Sequence, residues 1–260
     1  MDAAAAKELS ETSGNSFQCR VANYFRGHNW TVLLSPYFVD ALSDKTRESD
    51  LIVEKSFPVR QYWVGGSRSV RLRLFVECKY AAKNAGVVFW TDAMDLTAAR
   101  NWVSSRPPFN PDGRHQREHH YFQSNDPVAK LFASEKQKGD DGDPIYKALN
   151  QCINGFIHNQ TRPSMISTTK LSEEVTRVDY PVIVFSSFDQ FYSTDVANQV
   201  DPTPIQRNFL AEVNYAYVNP RGAAVRDYFL VDMVDFNKIE SFVESLVTEM
   251  AAATCLLEQH

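Results

Sequence analysis

Ser69-Val70-Arg71-Leu72-Arg73-Leu74-Phe75-Val76-Glu77-Cys78-Lys79-Tyr80 is the clearest periodic segment of the chain. Leu72, Leu74, Val76 and Cys78 fall on one side of an extended chain, and Arg71, Arg73, Phe75, Glu77 and Lys79 on the other. That is the two-residue period of a β-strand with two chemically different faces. Glu77 and Lys79 therefore project from the same face, about 7 Å apart along the backbone. An isolated Glu-x-Lys on a strand is most often a solvated pair of little energetic weight. The neighbouring sequence gives this one a chemical context.

Upstream, Glu48-Ser49-Asp50-Leu51-Ile52-Val53 opens a second strand over Ser49–Lys55, joined to the first by a loop carrying Pro58 and Gly65-Gly66. Antiparallel pairing of these two strands brings Asp50 alongside Glu77. Further back, Trp30–Val39 is apolar and β-branched and reads as one strand, followed by the polar turn Ser43-Asp44-Lys45-Thr46. Ser16–Gly27 carries Phe17, Val21, Tyr24 and Phe25 at helical spacing and ends at glycine. Residues 1–13 read as a flexible tail.

Downstream, residues from about 91 to 144 are rich in Pro, Gly, Asn, Asp and His and read as a long insertion, with a short helical stretch near Val128–Phe132. Ile145–His158 has helical periodicity, Tyr180–Ser186 is a buried strand, Arg226–Asp235 another strand, and Asn237–Leu257 an amphipathic helix. The expectation is one domain over residues 14–260 of α/β class. Its order is helix, three strands, helix, strand, forming a mixed sheet flanked by helices, with a strand-helix extension over about 207–260.

With 43% apolar and 23% charged residues the bulk of the chain is that of a folded globular protein, which excludes a disordered one. No run approaches the roughly 18 apolar residues of a membrane span, and Met1–Glu8 has neither the basic nor the apolar region of a secretory signal. A cytoplasmic protein with no membrane partner is expected. Cys19, Cys78, Cys152 and Cys255 are scattered without C-x-x-C spacing and are expected to be reduced, buried thiols. The net charge of -5 argues against an anionic partner, but Lys45–Lys83 holds nine basic residues against four acidic ones. Lys45, Arg47, Arg71, Arg73 and Lys83 are the candidate contacts to a phosphate backbone.

Two carboxylates and an ammonium converging on a sheet have a definite use. Asp50 and Glu77 repel each other unless a cation lies between them, and Mg²⁺, with Mn²⁺ as substitute, is the hard ion such a pair accepts. A cation so held activates water and offsets charge on a phosphoryl group, with Lys79 orienting or helping to deprotonate that water.

The ordered set of helix, Asp50, then Glu77-Cys78-Lys79, then helix and strand resembles the PD-(D/E)XK nuclease superfamily. Ser16-Phe17-Gln18, Glu48-Ser49-Asp50 and Val76-Glu77-Cys78-Lys79 are similar to Mrr-like restriction endonucleases. The resemblance covers residues 15 to 80 well and continues loosely to Ser186. It implies a restriction-endonuclease-like αβββαβ core and a metal-dependent nuclease acting on DNA. Asp50, Glu77 and the Cys78 carbonyl would hold the metal, Lys79 would assist the nucleophile, and a homodimer is compatible with it. Ser49 stands where the family motif has Pro, and Gln18 where many Mrr-like members have Glu. The Gln18 amide can still hydrogen-bond a water or a phosphate in a catalytic site.

Two other readings compete. A catalytically silent nuclease-like domain would bind nucleic acid or protein without cleaving; the intact Asp50, Glu77 and Lys79 set speaks against it. His115-Gln116-Arg117-Glu118-His119 fits the inverted zinc-peptidase pattern H-x-x-E-H. Pro107, Pro108, Pro111 and Gly113 just before it disfavour the helix that pattern needs, and His119 and His120 could instead meet nucleic acid.

Overall fold

The computed structural model describes residues 2–40, 45–60, 67–80, 86–92, 97, 101, 103, 119–123, 128–135, 143–166, 173–198, 200–219 and 222–258. Within them the alternating segment is β5 (Ser67–Lys79), held between β4 (Leu51–Val59) and β8 (Glu173–Phe185). β4 runs antiparallel to β5 with Leu51 opposite Val76, and β8 runs parallel to it with Glu77 opposite Ile183. The remaining strands are β1 (Thr31–Leu34), β2 (Tyr37–Asp40), β3 (Lys45–Glu48), β6 (Val87–Asp92), β7 (Val128–Ser134), β9 (Phe191–Asp195), β10 (Thr203–Pro204), β11 (Phe209–Val218) and β12 (Ala224–Asp235). Among the described residues ten strands join in one mixed sheet, in the order β1-β4-β5-β8-β12-β11-β7-β6-β9-β10, while β2 and β3 pair with each other. The α/β expectation with a mixed sheet flanked by helices holds at this level.

Helices cover both faces of β5. α2 (Gly14–Gly27) starts at Ser13, whose side chain accepts the Ser16 N–H, and buries Phe17, Val21 and Phe25 at four-residue spacing. α4 (Pro144–Asn159) starts at Asp143, which accepts from the N–H groups of Ile145 and Tyr146, with Pro144 at its first turn. It lies on the Arg71, Arg73, Phe75, Glu77 and Lys79 face: the Phe156 ring meets Phe75 edge-on, and the Cys152 thiol donates to the Phe75 carbonyl. α5 (Ile239–Glu258) packs with α2 on the Leu72, Leu74 and Val76 face. Short α3 (His120–Gln123) meets α5.

This covering changes the reading of β5. A central strand between two helical layers has no solvent face, so every residue from Arg71 to Cys78 is buried and the charges on it must find partners inside the protein. Several other expectations shift for local reasons. The segment read as a tail carries α1 (Ala3–Thr12), since Ala3–Ala6 have high helix propensity and the Asp2 carboxylate accepts the Ala5 N–H. The strand expected over Trp30–Val39 is two strands, because Ser35 takes a left-handed φ of 49° before Pro36. Pro58 is in β4, opposite Ser69, rather than in a loop; β1 reaches only Glu54, so the outer edge of β4 tolerates a residue without an N–H there. Val128–Phe132 is strand, not helix, because pairing with β6 and β11 overrides its local spacing. With β6 and β7, parts of the expected insertion extend the sheet. Of the four free cysteines, Cys78 and Cys152 are buried as expected, but Cys19 and Cys255 are exposed on their helices.

β1 to β4 form one long hairpin bent in the middle. Thr31–Leu34 pairs with Leu51–Glu54, and Tyr37–Asp40 pairs with Lys45–Glu48. At the bend, the Ser35 N–H donates to the Asp50 carbonyl at 2.8 Å and the Ser49 N–H to the Pro36 carbonyl at 3.0 Å. α4 presses on this bend: a Cβ added at Gly155 would lie 2.5 Å from Ser49 Oγ and 3.4 Å from its Cβ. Gly155→Ala should therefore lower stability by about 1–3 kcal/mol in urea unfolding. Adding Ser49→Ala, which removes the clashing oxygen, should recover most of that loss. Equal stability of the single and double variants would show that α4 does not need this close approach.

Candidate functional site

Asp50 occupies the bend, one residue before the β4–β5 ladder begins at Leu51 and Val76. Its carbonyl accepts from the Gln18 side-chain amide at 2.7 Å as well as from Ser35, and its Oδ2 accepts the Cys78 N–H at 2.7 Å. The carboxylate thus stands beside the end of β5, where Glu77 projects from the same face. Glu77 Oε1 pairs with Lys79 Nζ at 2.7 Å, and Lys79 Nζ also donates to Gln151 Oε1 at 2.7 Å from α4. Asp50, Glu77 and Lys79 are brought together by strand pairing and by the bend. The Cys78 side chain points to the opposite face, so only its backbone can join them.

The electrostatics of this group are unbalanced. Burial, and then the negative charge of Asp50, push the Glu77 carboxyl up to about 8, against the opposing pull of Lys79. Burial also raises Asp50, partly offset by the Cys78 N–H and by Lys79. Glu48 adds a further negative charge that raises both. One ammonium does not neutralise two buried carboxylates, and oxygen donors short of positive charge fit a hard divalent cation. Lys79 is partly exposed and Glu77 almost wholly covered, so the group is approached from the Lys79 end.

The other expected residues divide. Gln18 is engaged with the Asp50 carbonyl and with Ser35 Oγ at 3.2 Å, so its amide nitrogen holds the bend rather than a reacting group. Lys45 and Arg47 lie exposed on β3, as a phosphate contact requires. Arg71 and Arg73, expected at a nucleic-acid surface, are 3% and 1% exposed, because the face they share with Glu77 is covered by α4 and the chain that follows it. Arg73 is committed to Asp179 through two bonds of 2.8 and 2.7 Å and to the carbonyls of Arg162 and Gln160. Neither arginine is available to a phosphate. Lys83 lies outside the described residues.

Sequence reading missed Gln151, which a polar residue beside the buried stripe of α4 could have signalled. It lines a cleft of about 1130 Å³ together with Arg47 and Glu48 of β3, Lys147 and Tyr146 of α4, Tyr215 of β11, and Lys130 of β7, whose ammonium is paired with Glu212 of β11. Through Gln151 this cleft adjoins Lys79, and its lining mixes cationic, acidic and aromatic side chains.

Of the zinc-peptidase pattern, His115–Glu118 lie outside the described residues, and His119, like His120, is buried, at 2% and 7% exposure. Burial also keeps both histidines from meeting nucleic acid. Among the described residues no helix is long and apolar enough to cross a membrane. Comparison with known proteins finds no matching family model, no matching curated protein and no matching solved structure.

Two outcomes follow from the charges on β5. Between pH 4.5 and about 8 the folded chain keeps a proton on Glu77 that the unfolded chain releases, so this group's contribution to stability falls as pH rises across that window. In metal-free buffer the drop in Tm over that range should be smaller for Glu77→Gln than for the parent; an identical drop would mean Glu77 is not the group responsible. Separately, Arg73→Met should cost about 3 kcal/mol in urea unfolding by stranding Asp179. A change near zero would place this pair outside the cooperative core.

Proposed function

We propose that this chain is a metal-dependent nuclease that hydrolyses phosphodiester bonds, with DNA as substrate and a cytoplasmic location. The observation that carries the proposal is the convergence of Asp50, Glu77 and Lys79 at one end of β4 and β5, in a setting that leaves Glu77 short of a positive partner. The order α2, β1, β4, β5, α4, β8, with those four strands adjacent in that sequence, supports a restriction-endonuclease-like core. The choice of DNA rests on the family resemblance.

Asp50, Glu77 and the Cys78 carbonyl would hold Mg²⁺ or Mn²⁺. Bound there, the cation would supply Lewis-acid stabilisation of phosphoryl charge and a more acidic water. The chain's own residues do the remaining work. Gln18 and Ser35 fix the Asp50 backbone, and the Cys78 N–H orients its carboxylate, so the two acids do not drift apart. Lys79 has three N–H donors, of which Glu77 and Gln151 take two; the third can hold the attacking water or a phosphate oxygen. Glu77 serves in its ionised form, which a nearby cation favours over the protonated one. Arg47 and Lys147 in the adjoining cleft attract the backbone of the substrate.

Purified protein incubated with supercoiled plasmid, linear duplex and single strands should cleave DNA with Mg²⁺ and not with EDTA. Asp50→Asn, Glu77→Gln and Lys79→Met should each reduce the rate by about 100-fold or more while leaving the far-ultraviolet spectrum unchanged. Stabilisation by Mg²⁺ should grow as pH rises toward about 8, since the ion competes with the Glu77 proton. Cleavage that survives EDTA or all three variants overturns the assignment. Metal-free DNA binding with no cleavage under any condition favours the silent binding module.

A further inference from the structure

A second buried constellation lies on the other face of the sheet, among residues that the proposed hydrolysis does not use. The apolar stripe of α5 runs through Phe242, Leu246, Met250 and Ala253, yet Glu249 sits within it at 0% exposure. His119 and His120, at the start of α3, close over that carboxylate. His120 Nδ1 is hydrogen-bonded to Glu249 Oε2, and the His120 N–H donates to the same oxygen at 2.8 Å. His119 Nδ1 is 3.6 Å from Glu249 Oε2. One ligating atom from each of the three residues lies within 4.8 Å of the other two.

The ring nitrogens turned away from Glu249 are also held. His120 Nε2 meets both oxygens of Asp232 of β12 at 3.2 and 3.3 Å. His119 Nε2 meets the Tyr180 hydroxyl of β8 at 2.9 Å, and that hydroxyl donates to Glu249 Oε1. Since the hydroxyl proton goes to Glu249, His119 Nε2 must carry its own proton, which leaves Nδ1 as a lone pair. Nδ1 accordingly accepts the Tyr121 N–H at 3.2 Å. A metal-binding imidazole needs this tautomer, with its remote nitrogen anchored on a carboxylate or hydroxyl. His119 has it, whereas His120 faces a carboxylate at each ring nitrogen and must release its Nδ1 proton to solvent for an ion to take its place.

We propose that His119, His120 and Glu249 form a binding site for a first-row divalent transition ion, with Zn²⁺ as its representative, distinct from the Asp50 and Glu77 pair. Two imidazole nitrogens and one carboxylate oxygen match the three-ligand sets that zinc takes, and nitrogen donors disfavour Mg²⁺. Asp232 and Tyr180 act as positioning residues behind the two rings. His120, Tyr121 and Asp232 also line a cavity of about 320 Å³, so the His120 side of the cluster borders open space. An ion held here would tie α3 to α5 across 129 residues of sequence between His120 and Glu249, so its binding would stabilise the fold.

The test uses the full chain, stripped with chelator and then titrated with Zn²⁺ calorimetrically and with Co²⁺ by visible absorption. The expected result is one ion per chain, d–d bands without thiolate charge-transfer bands, and a rise in Tm on the order of 5 °C at saturating Zn²⁺. Binding should persist in an Asp50→Asn/Glu77→Gln variant. It should weaken about 100-fold in His119→Gln and His120→Gln, and about 10-fold in Asp232→Asn. A wild-type chain that takes up neither ion overturns the proposal and leaves a hydrogen-bonded network in which a protonated His120 bridges Asp232 and Glu249. Binding that survives both histidine changes, disappears with Asp50 and Glu77, or shows thiolate bands overturns it as well. Should either histidine variant fail to fold, the wild-type Co²⁺ spectrum and stoichiometry decide the matter alone.

Discussion

Nine consecutive residue pairs lock β4 to β5, from Leu51 against Val76 to Val59 against Arg68, and the site lies just beyond the first of them. Sliding this register by one residue would turn Glu77 and Lys79 to the opposite face and leave Asp50 beside an apolar neighbour. The parallel pairing of β5 with β8 along the whole of both strands prevents such a slip from the other side. The bend at Ser35 and Ser49 then ends the ladder at the point where Asp50 can offer its carboxylate to the Cys78 N–H. Strand register, local bend and position of the acid pair are one constraint, met by backbone hydrogen bonds.

Charge burial is the cost of this arrangement. On the α4 side the protein keeps Glu54, Arg71, Arg73 and Glu77 nearly out of contact with solvent. Glu54 is satisfied by the Ser164 hydroxyl and the Met165 N–H, and Arg73 by Asp179 and two carbonyls. Arg71 keeps a buried Nε without a hydrogen bond, and Glu77 is under-compensated: among the described residues its close cationic partner Lys79 is shared with Gln151, and Asp50 works against it. Buried ion pairs add little net stability compared with apolar packing, but a carboxylate left under-compensated is poised to take a cation. The contrast between a fully paired Arg73 and an under-paired Glu77, four residues apart on one face, separates a structural charge from a functional candidate.

The two helices that sandwich the sheet carry different chemistry. α4 contributes Gln151 to the Lys79 ammonium and, through Gly155, sits close enough on Ser49 to hold the bend. α5 contributes Glu249 to His119 and to His120 at the start of α3, and shares with β8 and β12 the partners that orient their rings. Tyr180 and Leu74 are opposite one another in the β5–β8 ladder and so share the α5 face. Strand alternation thereby sends the oxygen-rich pair to one side of the sheet and the nitrogen-containing cluster to the other, with the central strands as a common support.

Local pattern determined a good deal of this protein. The period of two over Ser69–Tyr80, the periods near 3.6 in α2, α4 and α5, and the Asp50, Glu77 and Lys79 set are all visible in the sequence, because each depends on residues close together in the chain. The tertiary structure decided what those patterns face. The charged side of β5 looks like a solvent face until α4 covers it, and Arg71 and Arg73 then become interior residues. β6, β7 and β9 are short, and they pair with strands far away in sequence. A glutamate inside the apolar stripe of α5 and an aspartate inside the buried run of β12 were local signs of the second cluster, beside the adjacent histidines. Their meaning depends on His119 and His120, which only folding brings to them, since burial and charge pairing are properties of neighbours in space.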